Sequence, residues 1–146
     1  AYASFLKNTD QKVYAIIGDG EANEGPIWEA IQFAAHHKLS NLMIIVDKNN
    51  YQAMGKTNEI LNQDKLHDQI KAFEFEVTSV DGHNENDINQ AIQRLWSSKS
   101  NKPKAIIANT IKGKGISFME DTNLWHYTRL DQDKYQEAID ELEGKQ

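Results

Sequence analysis

VYAIIGDGEANEGPIWEAIQFAAHHKLSNLMIIVDKNN, residues 13–50, decides the fold. Val13–Ile17 is a short apolar, β-rich run that Gly18-Asp19-Gly20 interrupts. Ile27, Ala30, Ile31, Ala34 and Ala35 then recur at helical spacing, and Leu42–Val46 is a second apolar run ending on Asp47-Lys48-Asn49-Asn50. Buried strand, helix, buried strand is the pattern of a βαβ unit, whose strands are parallel. Asp19 and Asn49 then fall just past the carboxyl ends of two strands, the edge where open α/β sheets bind ligands.

Outward from this unit, Ala1–Asn8 reads as the tail of a helix. With no initiator Met before it, the expectation is that something upstream is missing. Pro26 suits the first turn of the central helix, and His36, His37 and Lys38 suit its negative carboxyl end. Tyr51–Gln63 is polar and aperiodic, long enough for a ligand-covering loop. A short helix is expected over Asp64–Ala72 and a third strand over Phe75–Val80. Asn84 caps a helix to about Trp96, with Ile88, Ala91, Ile92 and Leu95 on one face. Lys104–Thr110 is a fourth strand, and Ile111–Arg129 has no clear period. Asp131–Leu142 is a last helix, with Tyr135, Ala138, Ile139 and Leu142 expected inward. The whole is read as one α/β domain over residues 1–146: an open, mostly parallel sheet with helices on both faces.

Composition narrows the function classes. A net charge of −6 with no basic block argues against nucleic acid as a partner. Zero cysteines exclude disulfides and thiolate metal sites, and suit a reducing cytoplasm. No apolar run nears the ~20 residues that span a bilayer, so no membrane partner is expected. Nothing at the start has the form of a signal peptide.

Gly-Asp-Gly alone is a common turn. At a strand end before a helix it gains meaning, because flanking glycines let backbone approach a bulky anion and the helix start offers unpaired N–H groups. One carboxylate from Asp19 and one amide oxygen from Asn49, with the oxygens of a diphosphate, form a donor set that Mg²⁺ accepts. A structural turn beside a solvated Asn pair accounts for the same residues. Asp19 to Gly25 fails as a calcium loop because Glu24 holds the required glycine position. Gly113-Lys114-Gly115 lacks the spacing of a nucleotide P-loop.

GDG at 18–20 with Asp47-Lys48-Asn49 resembles the thiamine diphosphate fingerprint. GDGEANEG, IWEAIQFAAHHKLSNLMIIVD, SVDGHN at 79–84 and NTIKGKGISFMEDTNLWH at 109–126 together resemble the transketolase family, notably the kind split into amino- and carboxy-terminal subunits. The resemblance implies transfer of a two-carbon ketol unit from a ketose, phosphorylated or not, to an aldose by means of thiamine diphosphate. It implies that Asp19, Asn49 and the Tyr51 carbonyl hold Mg²⁺, or Ca²⁺ in its place. Gly18, Gly20 and Glu21 join them as cofactor-binding positions. Glu24 corresponds to a buried Glu linking paired active sites, and His126 to a His near diphosphate and substrate. Their bland readings are a solvated first-turn Glu and a surface His. Lys112 reads equally as a substrate-side residue or a solvated loop Lys. His36 and His37 read as helix-end residues, His83 as a turn residue, and Trp28, Trp96 and Trp125 as packing groups.

Asn50, Met54 and Tyr127 depart from the family's usual Gly, Asp and Gly, which leaves the sugars open. The family's catalytic Glu belongs to a second domain, so the chain alone is expected to be inactive. Its expected partners are further copies of itself in a heterotetramer, together with a carboxy-terminal, pyrimidine-binding subunit. A pyruvate dehydrogenase-like decarboxylating subunit shares the cofactor fingerprint, but Glu24-Gly25 and Trp125-His126 favour transketolase. The reading from a different class is a non-catalytic assembly module, or an inactive fragment that keeps the fold.

Overall fold

A computed structural model describes residues 1–144. The chain runs through α1 (Tyr2–Leu6), β1 (Val13–Gly18), a 3-10 turn (Glu21–Asn23), α2 (Gly25–His36) and β2 (Leu42–Lys48). A small hairpin, β3 (Tyr51–Gln52) and β4 (Gly55–Lys56), precedes α3 (Thr57–Ile60) and α4 (Leu66–Ala72). Then follow β5 (Glu76–Asp81), α5 (Glu85–Ser97), β6 (Lys104–Asn109), a 3-10 turn (Asn123–His126) and α6 (Gln132–Leu142).

The expected βαβ unit forms, and β1 and β2 are direct parallel neighbours, but β1, expected to be buried, is the edge strand and leaves Tyr14 and Ile16 exposed. The main sheet has the order β1-β2-β6-β5, every pair parallel. Gly18 lies opposite Asp47, and Lys48 opposite Asn109, so all four strands end at one edge. Strand alternation separates two cores. Ile44, Val46, Ala105 and Ile107 pack with Ile31 and Ala34 of α2 and with Leu66 and Ile70 of α4. Met43 and Ile106, from the opposite faces of the same strands, pack with Ala91 and Leu95 of α5. Helices therefore cover both faces, and β6, shielded on both, reads as a continuous apolar run after Lys104. Each of its buried isoleucines contributes about 1.5–3 kcal/mol relative to exposure.

Local signals work where chemistry is short-range. Asn84 Oδ1 accepts the N–H groups of Asn86 and Asp87 at 3.1 and 3.3 Å, the N-cap expected for α5. Asp131 caps α6 in the same way through Lys134 N at 2.8 Å. The third strand and the α4 helix begin a residue or two later than the sequence suggests. Tyr51–Gln63 departs further from expectation: it holds the hairpin and α3, and the buried Thr57 donates its N–H to Asn50 O at 2.9 Å.

α6 is a correction. Tyr135 and Leu142 are exposed, Leu142 at 61%, and Ala138 alone among the four expected inward residues is fully buried. The helix docks on the 111–121 segment through polar contacts. Glu141 accepts Ser117 N and Oγ, each at 2.6 Å, and Lys134 Nζ lies 4.5 Å from the Phe118 ring centre. An amphipathic period shows that one face is apolar, not what stands opposite it.

Candidate functional site

β1 carries Gly18 to the sheet edge, and Asp19 follows with its backbone N–H donated to Asp47 O at 3.1 Å. The Asp19 side chain is 1% exposed, turned inward between the two strand tips. Its Oδ1 accepts Gly20 N at 2.7 Å and its Oδ2 accepts Asn50 N at 2.6 Å. Burial pushes this carboxyl above the usual carboxylate range and the nearby Asp47 adds to the rise, while the Asn50 and Gly20 N–H groups oppose it. Asn49 Oδ1 accepts Tyr51 N at 2.9 Å. The carboxylate of Asp19 and the carboxamide oxygen of Asn49 thus meet adjacent N–H groups, those of Asn50 and Tyr51. Asn50 takes φ +64°, a region open to Gly and Asn at least cost, which explains an asparagine where the resemblance expects glycine.

Tyr51 is buried, and its hydroxyl donates to Asp121 O at 2.6 Å, tying the hairpin to the segment after β6. That segment brings in the 3-10 turn ending at His126. A cleft of about 490 Å³ results, lined by Gly18, Asp19, Gly20, Glu21, Glu24, Asn49, Tyr51 and His126, with Gln52 and Ala53 beside them. Every residue singled out from the sequence for the site faces this one cleft. Glu21 Oε2 accepts Gly18 N at 3.3 Å. Glu24 is exposed and precedes α2 without a side-chain cap bond. His126 is exposed, with Lys112 Nζ 3.5 Å from its Nδ1.

The other singled-out residues lie apart. The His37 ring packs on Tyr2 and Phe33 at 4.7 and 4.3 Å, and His36 stands edge-on to it. His83 Nε2 accepts Ile111 N at 2.7 Å, a turn-bracing role. Trp28, Trp96 and Trp125 each anchor the indole N–H, on Ala22 O, Tyr14 Oη and Phe118 O respectively.

The cleft fits a metal–diphosphate group on two counts. A Cβ built on Gly18 meets nothing within 4 Å, so the backbone there is open to a bulky ligand. Gln52 Nε2 is buried with no protein partner, and an anionic oxygen would satisfy it. No cluster of three His, Cys, Asp or Glu side chains capable of holding a metal occurs among the described residues. A cation here would therefore be held by Asp19, Asn49 and backbone or ligand oxygens, the hard donors that Mg²⁺ and Ca²⁺ take. Gln52 escaped the sequence reading because only the hairpin turns it toward the cleft, held by Asn23 Nδ2 at 3.0 Å. Gly20 proves to serve packing too: a Cβ there would stand 2.7 Å from Gln52 Cβ.

Residues 4–143 match the family described as transketolase, thiamine diphosphate binding domain. The chain is 40% identical to the 6-deoxy-6-sulfo-D-fructose transketolase subunit SqwG of Clostridium sp. (strain MSTE9), over 98% of this chain and 52% of that protein. It is 42% identical to an apulose-4-phosphate transketolase subunit of Actinobacillus succinogenes, over 99% of this chain and 52% of that protein. The chain thus spans about half the length of these curated relatives. Its fold is similar to the crystal structure of transketolase from Campylobacter jejuni, with a TM-score of 0.84, 33% identity, and coverage of 92% of this chain and 21% of that one. No helix among the described residues is long and apolar enough to cross a membrane. With the GDG and Asn49 strand tips at one sheet edge and the family pattern matched nearly end to end, this chain belongs to the transketolase family, within its thiamine diphosphate-binding domain.

Proposed function

We propose that the chain acts in the diphosphate-binding, amino-terminal subunit of a split transketolase, moving a two-carbon ketol unit from a ketose to an aldose. The observation that carries this reading is the single cleft shared by Gly18, Asp19, Gly20, Asn49, Tyr51 and His126. Thiamine diphosphate supplies the electron sink for carbon–carbon cleavage when bound, and the protein orients it. Asp19, Asn49 and the Tyr51 carbonyl would hold the Mg²⁺ that accompanies the diphosphate, with Ca²⁺ as a substitute. Gly18 and Gly20, without side chains, would let the diphosphate approach the backbone, and Glu21 closes the turn through its bond to Gly18 N. His126, with Lys112 Nζ 3.5 Å from its Nδ1, would donate from its ring to the oxygen that becomes an alkoxide on the sugar.

Glu24 is exposed in the isolated chain, and we assign it to the contact with a second copy across paired sites. The other partner is a carboxy-terminal subunit that brings the pyrimidine-binding half and the catalytic Glu. The zero cysteines fit work in the cytoplasm. The names of the two similar subunits point to sulfonated or phosphorylated ketoses as substrates.

The test is a ketose-plus-aldose assay with the full-length protein, its partner subunit, thiamine diphosphate and Mg²⁺. Ketol transfer lost on omitting either subunit supports the proposal. Carbon dioxide released from a 2-oxo acid, with no transfer, overturns it in favour of a decarboxylase. No cofactor binding even with the partner present would mark a non-catalytic module.

A further inference from the structure

Asn49 can serve as an oxygen ligand only if its carboxamide presents Oδ1, and not Nδ2, to the cleft. The carboxamide is a short, nearly symmetric group, so something must choose between its two orientations. Asp47, the last residue but one of β2, lies opposite Gly18 on one side and Ala108 on the other, and is half-buried there. Its Oδ2 accepts Asn49 Nδ2 at 3.1 Å. Its Oδ1 accepts the hydroxyl of Thr110, the first residue past β6. Thr110 is held in turn by its own N–H, donated to Lys48 O at 3.1 Å.

An ionised carboxylate has acceptors only. Asn49 must therefore turn its NH₂ toward Asp47, which leaves Oδ1 on the opposite side, where Tyr51 N reaches it at 2.9 Å. The reversed carboxamide would set oxygen against carboxylate and NH₂ against the Tyr51 N–H, two repulsive contacts in place of two bonds. Oδ1 keeps a second lone pair after accepting Tyr51 N, as a cation ligand requires.

We propose that Asp47 and Thr110 are positioning residues, which lock the Asn49 carboxamide so that its oxygen faces the cation of the cleft. The inference rests on the metal-binding role given to Asn49 under the proposed function. Outer-shell hydrogen-bond partners of this kind are typically worth 10- to 100-fold in metal affinity.

The test uses the full-length protein with its partner subunit. Calorimetric titration of Mg²⁺ at saturating thiamine diphosphate is compared for wild type, Asp47→Asn, Thr110→Val and Asn49→Ala. Asparagine at 47 keeps the volume but can offer either end, so Asp47→Asn should weaken Mg²⁺ binding roughly 10- to 100-fold. Thr110→Val should weaken it less, and the double variant should fall short of the product of the two. Excess Mg²⁺ should restore full cofactor occupancy in both, and melting near the wild-type temperature without metal or cofactor separates lowered affinity from damaged folding, which excess ligand would also mask. If Asn49→Ala abolishes Mg²⁺-dependent binding while Asp47→Asn and Thr110→Val bind as wild type does, the positioning role is wrong and the metal site stands. If Asn49→Ala itself changes nothing, the metal site falls and this inference falls with it. Thr110→Val carries the comparison should Asp47→Asn fail to fold.

Discussion

Asp19 Oδ2 accepts the backbone N–H of Asn50 at 2.6 Å, joining the tips of β1 and β2 across 31 residues of sequence. The same carboxylate holds Gly20 N at 2.7 Å. The residue proposed to bind metal is therefore also a structural brace, and a variant that removes it does two things at once. Asp19→Ala leaves two N–H groups without their carboxylate and should cost about 1–3 kcal/mol. At this chain length that is a fall of a few degrees in melting temperature, measured without metal or cofactor. Melting unchanged by the substitution would reduce Asp19 to a ligand alone.

Gly18 and Gly20 separate binding from packing. Gly18→Ala adds a methyl where nothing stands within 4 Å, so melting should hold steady while affinity for thiamine diphosphate falls. Gly20→Ala drives its Cβ to 2.7 Å from Gln52 Cβ and 3.4 Å from Gln52 Cα. That overpacking should destabilise by about 1–3 kcal/mol and shift the β3–β4 hairpin. Equal effects of the two variants on melting would contradict the geometry.

His126 is exposed on a 3-10 turn, and removing it disturbs little packing. His126→Ala should change stability by no more than about 0.5 kcal/mol. Ketol transfer by the assembled enzyme should drop roughly 10²- to 10⁴-fold, with cofactor affinity kept. Transfer at the wild-type rate would return His126 to the surface residues.

Lys104 is 2% exposed at the start of β6. Its ammonium donates to Lys102 O at 2.8 Å, stands 3.9 Å from Glu76 Oε2 and 5.5 Å from the Trp96 ring centre. Burial lowers its pKa below the ordinary 10.5, and the Glu76 charge only partly restores it. Between the lowered value and 10.5 the unfolded chain binds more protons than the folded one, so stability climbs with pH across that window. Lys104→Met should lack this climb. Urea unfolding of both proteins at stepped alkaline pH measures it, and parallel pH profiles would refute the assignment.

The fold is legible in the sequence where the signal is local. Val13–Ile17 and Leu42–Val46 announce themselves as parallel strands because apolar runs flanked by turn residues leave few other solutions, although β1 proves to be the half-exposed edge strand where a buried one is expected. Asn84 and Asp131 cap their helices through bonds spanning two or three residues. The loss came where a partner lies far off in sequence. Tyr51–Gln63 looked like loose cover because its anchors, Asp121 and Asn23, are remote. Leu142 looked inward because its period cannot say that Ser117, and not the sheet, faces α6.

The same division holds in the cleft. Asp19 and Asn49 were readable as residues just beyond strand ends, and Gly18, Gly20, Glu21, Glu24, Tyr51 and His126 through the resemblance. Gln52 and Thr110 were not, since each meets the cleft or its ligands across a contact that only the folded chain creates. Asp47 stood in plain view within Asp-Lys-Asn, but its acceptor-only chemistry means nothing until Asn49 is seen beside it.

Among the described residues β1 has a hydrogen-bonded neighbour on one side only, and on the face that carries Tyr14 it leaves Ile16 74% exposed. A lone parallel edge under a bare aliphatic side chain is a template on which other chains can polymerise. Purified as residues 1–146 alone, this polypeptide should scatter light and precipitate as its concentration rises, and Ile16→Lys should keep it dispersed.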